Sequence, residues 1–155
     1  MTSGEKALAE ALRHVGQHEV GGENQGPIVE WSIGRWTSRL PAKWARWCAG
    51  FVSTCIDEAD AGGPDWHHLA SLSCDHLYQR TVNAGCETGQ DLADAQPGDL
   101  VFFGDLADLD HVGFVVQVHG DTLTTVEGNC RNAVSVEEYS LAAPSRPLAA
   151  WVRLP

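Results

Sequence analysis

Basic side chains are scarce in this sequence. Ten lysines and arginines stand against 21 aspartates and glutamates, and the formal net charge at pH 7 is −11. Nucleic acids and anionic membrane surfaces are bound through clusters of positive charge. The composition therefore argues against either of them as the main partner. The acidic excess itself identifies no partner, because most surface charges only interact with solvent.

Long apolar runs are also missing. A membrane-spanning helix needs about 18 or more consecutive apolar residues, and no segment of the sequence provides them. Residues 1–6 have neither a basic start nor an apolar stretch after it. We therefore expect no membrane span, no secretory signal, and synthesis in the cytoplasm.

The cysteines do not suggest a disulfide framework. There are five of them, an odd number, and no Cys-x-x-Cys pair. This pattern favours reduced thiols. A non-enzymatic Cys/His metal-binding module is one alternative, built on Cys74 and His76 with His67, His68 or Cys86. These residues lack the paired spacing of structural zinc sites, so we expect no metal and no cofactor.

The periodicity of the apolar residues changes at residues 97–98. Helical patterns precede this point, at residues 3–17, from Pro27, from Cys48 to near Asp60, and from Ser73 to Gly85. Ser3 and Ser73 are the candidate N-caps of the first and last of these helices. Short runs rich in β-branched and aromatic residues follow it, at residues 100–103, 112–118, 123–126, 134–136 and 149–152. We predict an α+β fold with a helical layer on an antiparallel sheet. No repeat or linker divides the chain, so residues 1–155 are expected to form one domain.

Cys48 stands at the predicted start of a buried helix. A helix N-terminus offers unpaired N–H groups and a dipole that favours an anion. A thiol in that position ionises more readily, and the thiolate is the nucleophilic form. Cys48 is therefore a candidate nucleophile, although a free cysteine is more often a small buried apolar residue. Cys55, two turns further along the same face, is expected to be such a core residue.

A thiol nucleophile needs an imidazole within hydrogen-bonding distance. Among the seven histidines, His111 differs because it opens an apolar strand, where the scaffold would hold a base in place. Gly113 beside it would let another chain or a substrate approach closely. The alternative for His111 is a structural imidazole bonded to a backbone carbonyl.

The next strand ends with two polar candidates for a partner of His111. Antiparallel strands joined by a turn at residues 119–121 would bring this end beside His111, and counting from Gly120 places residue 111 about opposite residue 129. Glu127 or Asn129 could therefore accept a hydrogen bond from the imidazole and fix its tautomer. Either residue could equally belong to the turn that ends the strand.

Four segments occur in the order Trp47-Cys48-Ala49-Gly50-Phe51-Val52, Pro97-Gly98-Asp99-Leu100-Val101-Phe102-Phe103, His111-Val112-Gly113 and Val126-Glu127-Gly128-Asn129. Together they resemble the CHAP amidase/peptidase family, papain-like cysteine hydrolases of peptidoglycan within the wider NlpC/P60-type group. Residues 15–19 and 24–27 are similar to the N-terminal part of phage-associated members. The resemblance covers residues 7–152 and implies a papain-like fold.

The resemblance implies a role for each candidate residue. Cys48 would be the nucleophile, and His111 the general base and later the general acid. Glu127 would orient the imidazole, with Asn129 as a supporting or alternative partner. The N–H of Cys48 would contribute to an oxyanion hole. The implied reaction is hydrolysis of a peptidoglycan amide through a thioester, by an N-acetylmuramoyl-L-alanine amidase or a stem or cross-bridge endopeptidase.

Peptidoglycan is the implied partner, and we expect a monomer. The enzyme would act on the cell wall after release or injection, as in phage lysis by an endolysin or delivery of an antibacterial effector. A protein-directed cysteine protease, deamidase or toxin is the alternative that keeps the same chemistry.

Three further residues are predicted to bind substrate: Trp47, Glu19 and Asn24. Glu19 and Asn24 could instead pin the glycine-rich loop in which they lie. For the other tryptophans near this region, core packing is the simpler expectation; these are Trp31, Trp36 and Trp44.

Calcium is a further alternative, since some CHAP relatives bind it. Asp105, Asp108 and Asp110 are the candidate ligands. Their spacing is not that of an EF-hand loop, and carboxylates that flank a turn are usually solvated, so we predict no metal site there.

Overall fold

The computed structural model describes residues 1–37 and 46–155 and confirms the predicted α+β fold. In this part of the chain, the helices are α1 (Ser3–Leu12), α2 (Pro27–Ile33), α3 (Cys48–Glu58), α4 (Trp66–Leu69) and α5 (Cys74–Asn83), and a short 3-10 helix covers Leu92–Asp94. The strands are β1 (Glu87–Gly89), β2 (Leu100–Asp105), β3 (Asp108–His119), β4 (Thr122–Cys130), β5 (Ala133–Ser140) and β6 (Leu148–Arg153). They form one antiparallel sheet in the order β1-β6-β2-β3-β4-β5.

Helix α1 is capped by Thr2 and not by Ser3, the cap predicted from the sequence. The Thr2 hydroxyl accepts from the Glu5 N–H at 3.1 Å, and the Glu5 carboxylate accepts from the Thr2 N–H at 2.7 Å. This reciprocal arrangement needs Glu or Gln three residues after the cap. Lys6 occupies that position relative to Ser3 and has no acceptor to offer.

Helix α1 is also shorter than the predicted span of residues 3–17. It ends at Leu12, and Val15 is 44% exposed. Gly16 adopts a φ of 93°, and its N–H donates to the Val134 carbonyl of β5 at 3.0 Å. The chain after Leu12 therefore leaves the helix to pair with the sheet.

Two other helix starts agree with the prediction. Helix α2 begins at Pro27, and the Ser73 hydroxyl caps α5 by accepting from the His76 N–H at 3.3 Å. Trp31 and Trp36 are partly buried and pack against the core. Trp44 lies outside the described residues. Within residues 1–37 and 46–155, none of the helices is long and apolar enough to span a membrane.

Helix α3 is the central helix of the layer. All residues from Cys48 to Ile56 are buried, and the helix packs on α1 and α2 as well as on β3 and β4. Gly128 of β4 makes this close packing possible, because a Cβ at that position would lie 2.6 Å from the Phe51 ring. The start of α3 is therefore held directly against the sheet.

The middle strands are buried on both faces. Phe102, Val112 and Phe114 pack with the helices. Their neighbours Val101, Phe103 and Val115 belong to a second, smaller cluster with Leu123, Tyr139 and Trp151. Burial on both faces explains why residues 100–103 and 112–116 are continuous apolar runs and do not alternate.

The register of β3 and β4 places the candidate acid–base residues on one face of the sheet. The pairing begins at His119 and Thr122 beside the turn, and a β-bulge in β3 then shifts it by one residue. Further along, Gly113 lies opposite Glu127. His111 is two residues from Gly113 and therefore faces the same side of the sheet.

Candidate active site

Cys48 is the first residue of α3, as the sequence predicted, and its side chain is 1% exposed. Trp47 is the N-cap and makes no side-chain hydrogen bond to the helix. The first N–H groups and the dipole of α3 therefore act on the thiol. The Cys48 Sγ lies 3.8 Å from the Sγ of Cys74, which is the first residue of α5. Two helix N-termini thus meet at the candidate nucleophile.

His111 lies in β3 and is buried against Phe103, with 5.3 Å between the ring centroids. Its Nε2 is 2.7 Å from the Glu127 Oε1. Nδ1 is the ring nitrogen that does not bond to Glu127, and the ring and the Cys48 thiol each shift the other's pKa. The structure therefore joins His111 and Glu127 by a hydrogen bond and places the Cys48 thiol where it interacts electrostatically with the His111 ring.

The Glu127 carboxylate is fully buried and accepts three hydrogen bonds. His111 donates to Oε1, while the hydroxyls of Thr125 and Tyr139 donate to Oε2, the latter at 2.8 Å. Burial acts to raise the pKa of Glu127, but the hydrogen bonds and the charge of His111 outweigh it and lower that pKa. The carboxylate therefore remains ionised and fixes the orientation of the ring.

The thiol and the imidazole change each other's ionisation. The hydrogen bond from Cys74 lowers the pKa of Cys48, whereas burial acts to raise it. The hydrogen bond and the charge of His111 lower that pKa further, as does the Val112 N–H. The pKa of Cys48 therefore falls well below its ordinary value. Burial acts to lower the pKa of His111, yet Cys48 and Glu127 raise it to about 9. Each group therefore stabilises the charged form of the other.

Gly113 makes room for the carboxylate. A Cβ at this position would lie 2.7 Å from the Glu127 Cγ and 2.9 Å from the Val126 carbonyl oxygen. Only glycine lets the Glu127 side chain lie across β3 and reach His111. The close approach predicted at Gly113 is thus to the neighbouring strand.

Sequence reasoning missed three side chains of the site: Cys74, Thr125 and Tyr139. Cys74 reaches Cys48 only through the packing of α5, and Tyr139 reaches Glu127 only through the pairing of β4 with β5. Thr125 lies two residues before Glu127 on the same strand face, which is the one local signal that could have identified it.

Asn129 occupies a different position from Glu127. It lies at the end of β4 with a φ of 58°, a left-handed conformation that asparagine tolerates. In the described part of the chain, His111 bonds to Glu127 and no hydrogen bond links it to Asn129. A supporting role for Asn129 stays a prediction.

The three predicted substrate-binding residues are bonded to one another. The Trp47 indole is fully buried and donates to the Glu19 Oε1 at 2.9 Å, and the Asn24 backbone N–H donates to Oε2 at 3.0 Å. The Glu19 carboxylate thus ties the glycine-rich loop to the start of α3. Direct contact of these residues with substrate stays a prediction.

A cleft of about 240 Å³ opens beside the two thiols. It is lined by Arg46, Cys48, Leu72, Ser73, Cys74, Leu109 and Asp110. A larger cleft of about 430 Å³ lies near Gly62 and Leu154 and contains none of the residues of the thiol–imidazole–carboxylate group.

Two of the three aspartates considered for calcium have protein partners. Asp105 accepts from the Ala107 N–H at 2.8 Å, and Asp110 lies 3.4 Å from the Arg146 guanidinium. Across residues 1–37 and 46–155, no group of three or more His, Cys, Asp and Glu side chains is arranged to hold a metal ion.

Comparison with known proteins agrees with this geometry. The CHAP domain family model matches residues 39–129, more than half of the chain. No curated protein matches the sequence.

Among solved structures, Ly7917 is similar, with a TM-score of 0.60 and 19% identity over 100% of this chain and 63% of that one. A second structure, Ly7917 with the hydrolyzing product of MDP, has a TM-score of 0.58 and 17% identity, and the match covers 98% of this chain and 63% of that one. The NlpC/p60 domain of the peptidoglycan hydrolase SagA has a TM-score of 0.51 and 18% identity, and the match covers 97% of this chain and 98% of that one. At these identities the similarity establishes the fold, and the chain spans 63% of the length of Ly7917. The chain belongs to the CHAP domain family.

Proposed function

We propose that this protein is a peptidoglycan hydrolase that cleaves an amide bond with Cys48 as the nucleophile. The observation that carries the proposal is Cys48 at the N-terminus of a buried helix, interacting with a His111 ring that is hydrogen-bonded to the buried Glu127 carboxylate. Membership of the CHAP domain family supports it. So does the similarity of the fold to the NlpC/p60 domain of a peptidoglycan hydrolase.

The first half of the proposed reaction is acylation of the enzyme. The Cys48 thiolate attacks the amide carbonyl carbon, and the electron pair of the C=O bond moves to oxygen. The N–H of Cys48, at the start of α3, stabilises the oxyanion. The C–N bond then breaks as the His111 imidazolium gives its proton to the leaving amine. A thioester on Cys48 remains.

The second half is hydrolysis of the thioester. His111, now neutral, removes a proton from a water molecule that attacks the same carbonyl carbon. The C–S bond breaks, the acid product leaves, and the thiolate–imidazolium pair is restored. Glu127 stays ionised throughout and stabilises the charged ring whenever it forms.

The cleft beside Cys48 is the proposed binding site for the peptide part of peptidoglycan. Arg46 lines it, and its guanidinium donates to the Asp110 carbonyl at 3.4 Å. Stem peptides carry carboxylates, which a guanidinium binds well. The cleaved bond is either the amide to L-alanine or a peptide bond of the stem or cross-bridge. Action as a monomeric lytic enzyme, in phage lysis or effector delivery, stays a prediction from the family resemblance.

The test is digestion of purified peptidoglycan, with the soluble products identified by mass spectrometry. We expect the wild-type protein to release fragments with one new amine and one new carboxylate, and their masses identify the cleaved bond. Cys48→Ala should release none. Cys55→Ala is the matched control, because it removes a buried thiol from the same helix two turns away.

Casein serves as the competing substrate in the same experiment. Cleavage of casein with peptidoglycan left intact would favour a protein-directed protease and contradict the proposal. Equal fragment release by Cys48→Ala and wild type would refute the assignment of the nucleophile.

A further inference from the structure

The reaction as described leaves one buried thiol without a role. Cys74 is 8% exposed, and its Sγ lies 3.8 Å from the Sγ of Cys48, a distance at which one thiol can donate a hydrogen bond to the other. Both cysteines also line the same cleft. The Cys74 sulfur is therefore in direct contact with the proposed nucleophile.

The structure fixes Cys74 in this position from two sides. The Ser73 hydroxyl caps α5, and the Ser73 N–H donates to the Ser71 hydroxyl at 3.0 Å. The Asp75 carboxylate accepts from the Leu109 N–H at 2.9 Å, which ties the first turn of α5 to β3 just before His111. Helix α5 and the strand that holds the base are thus linked directly beside the two sulfurs.

The charges around the pair decide which sulfur keeps the proton. Cys48 faces the His111 ring and the Val112 N–H, which both stabilise a thiolate. The pKa of Cys74 is raised, first by its hydrogen bond to Cys48 and next by burial. The nearby carboxylates of Asp75 and Asp110 raise it further, because they disfavour a thiolate there. These charges favour Cys74 as the donor in the contact between the two sulfurs.

We propose that Cys74 is a positioning residue for the reaction, whose S–H group donates a hydrogen bond to the Cys48 thiolate and holds that sulfur ionised opposite His111. The link to turnover rests on the proposed function. The ionisation of Cys48 does not, because it can be measured without any substrate.

The test is the pH dependence of Cys48 alkylation by iodoacetamide in the full-length protein, with the label on Cys48 quantified by mass spectrometry under reducing conditions. Removing the donor in Cys74→Ala should raise the pH midpoint by about one unit, since a hydrogen bond to a charged group is worth at least that much. Cys74→Ser, which keeps a donor, should stay closer to the wild-type midpoint. Cys55→Ala should not shift it.

A second pair of variants separates hydrogen bonding from packing and from failure to fold. Cys74→Thr and Cys74→Val have nearly the same volume, but only threonine has a donor. The valine variant should raise the midpoint by about one unit relative to the threonine variant. Equal midpoints within this pair, or in Cys74→Ala and wild type, would overturn the proposal.

Turnover of peptidoglycan provides the second readout. In Cys74→Ala, the acid limb of the kcat/KM profile should move to higher pH by the same amount as the alkylation midpoint. KM should be unchanged. If wild type does not hydrolyse peptidoglycan, the proposed function fails, while the alkylation midpoints still decide whether Cys74 supports the thiolate.

Discussion

Glu127 is the residue that keeps the imidazole charged and correctly oriented. Its carboxylate is fully buried, and the hydroxyls of Thr125 and Tyr139 donate hydrogen bonds to Oε2, the oxygen that does not bond to His111. A buried carboxylate with three donors and a cationic neighbour is stable as an ion. The ring of His111 therefore has one fixed partner on Nε2, which leaves Nδ1 for the thiol.

Glu127→Gln should lower kcat about 100-fold, within the range typical of general acid–base catalysis, because the imidazolium loses the charge that stabilises it. KM should change little, and the alkaline limb of the pH profile should move below its wild-type position. Glu137→Gln is the matched control: Glu137 lies in β5 and bonds to Cys130 and Arg131, not to His111. Unchanged kcat in Glu127→Gln would contradict the role of the carboxylate.

The pH profile of kcat/KM should be bell-shaped. Activity should rise as the pH passes upward through the lowered pKa of Cys48, because the thiolate forms there. It should fall as the pH passes through about 9, where the His111 imidazolium loses the proton that the leaving amine needs. These two limbs belong to the coupled pair and not to either residue alone. Activity that keeps rising above pH 9 would contradict this account.

At the scale of elements, the site depends on how closely β3 and β4 approach. The β-bulge in β3 sets the register, and Gly113 provides the space for Glu127. The two strands also carry the apolar runs that anchor them in both core clusters. The geometry of the acid–base pair is therefore a property of the sheet.

Gly113→Ala should disturb the site without touching any reacting group. The new Cβ would overlap the Glu127 Cγ and the Val126 carbonyl, and such overpacking costs about 1–3 kcal/mol of unfolding free energy. Displacement of the carboxylate should also lower kcat at least tenfold and shift the alkaline limb as Glu127→Gln does. Urea denaturation and steady-state kinetics measure the two effects. Wild-type values for both would show that Gly113 is not needed to place Glu127.

The first turn of α1 offers a direct comparison of two candidate caps. Thr2→Ala should lower the unfolding free energy by about 1 kcal/mol, because the Glu5 N–H loses the side-chain hydroxyl that accepts its hydrogen bond. Ser3→Ala should change it by less than about 0.5 kcal/mol, as expected for a surface substitution. Thermal denaturation of the two variants is the measurement. The reverse order of the two effects would contradict the observed cap.

The sequence predicted those elements whose signals are local. Cys48 begins a buried helix, and Pro27 and Ser73 mark helix starts by their own chemistry. The prediction that His111 opens its strand is wrong, because β3 already begins at Asp108 through pairing of residues 108 and 109 with β2. The choice between Glu127 and Asn129 was left open, because it depends on a bulge and on a left-handed residue that no periodicity reveals.

Contacts made only by long-range pairing were not predictable in this way. Strand β1 has no apolar pattern and exists because it pairs with β6, where the Thr88 hydroxyl also donates to the Trp151 carbonyl. Cys74 and Tyr139 enter the site only through contacts between separate elements, whereas Thr125 lies on the same strand as Glu127. The family resemblance supplied the arrangement of the main residues but not these supporting ones.

At the scale of the whole molecule, the cysteine with the lowered pKa is less exposed to solvent than two cysteines whose pKa is raised. Cys48 is 1% exposed, whereas Cys86 and Cys130 are more accessible. Burial raises the pKa of Cys86, and burial together with the hydrogen bond to Glu137 raises that of Cys130 to about 11. The pKa is thus lowered at Cys48, where α3, α5 and β3 meet, and raised at the two more accessible cysteines.

The most direct test of the central claim is alkylation with one equivalent of iodoacetamide at pH 6, followed by location of the label and by assay of peptidoglycan hydrolysis. We predict that the label appears on Cys48 first and that activity falls in proportion to Cys48 modification. Labelling of Cys86 or Cys130 ahead of Cys48, or activity that survives complete modification of Cys48, would contradict the account.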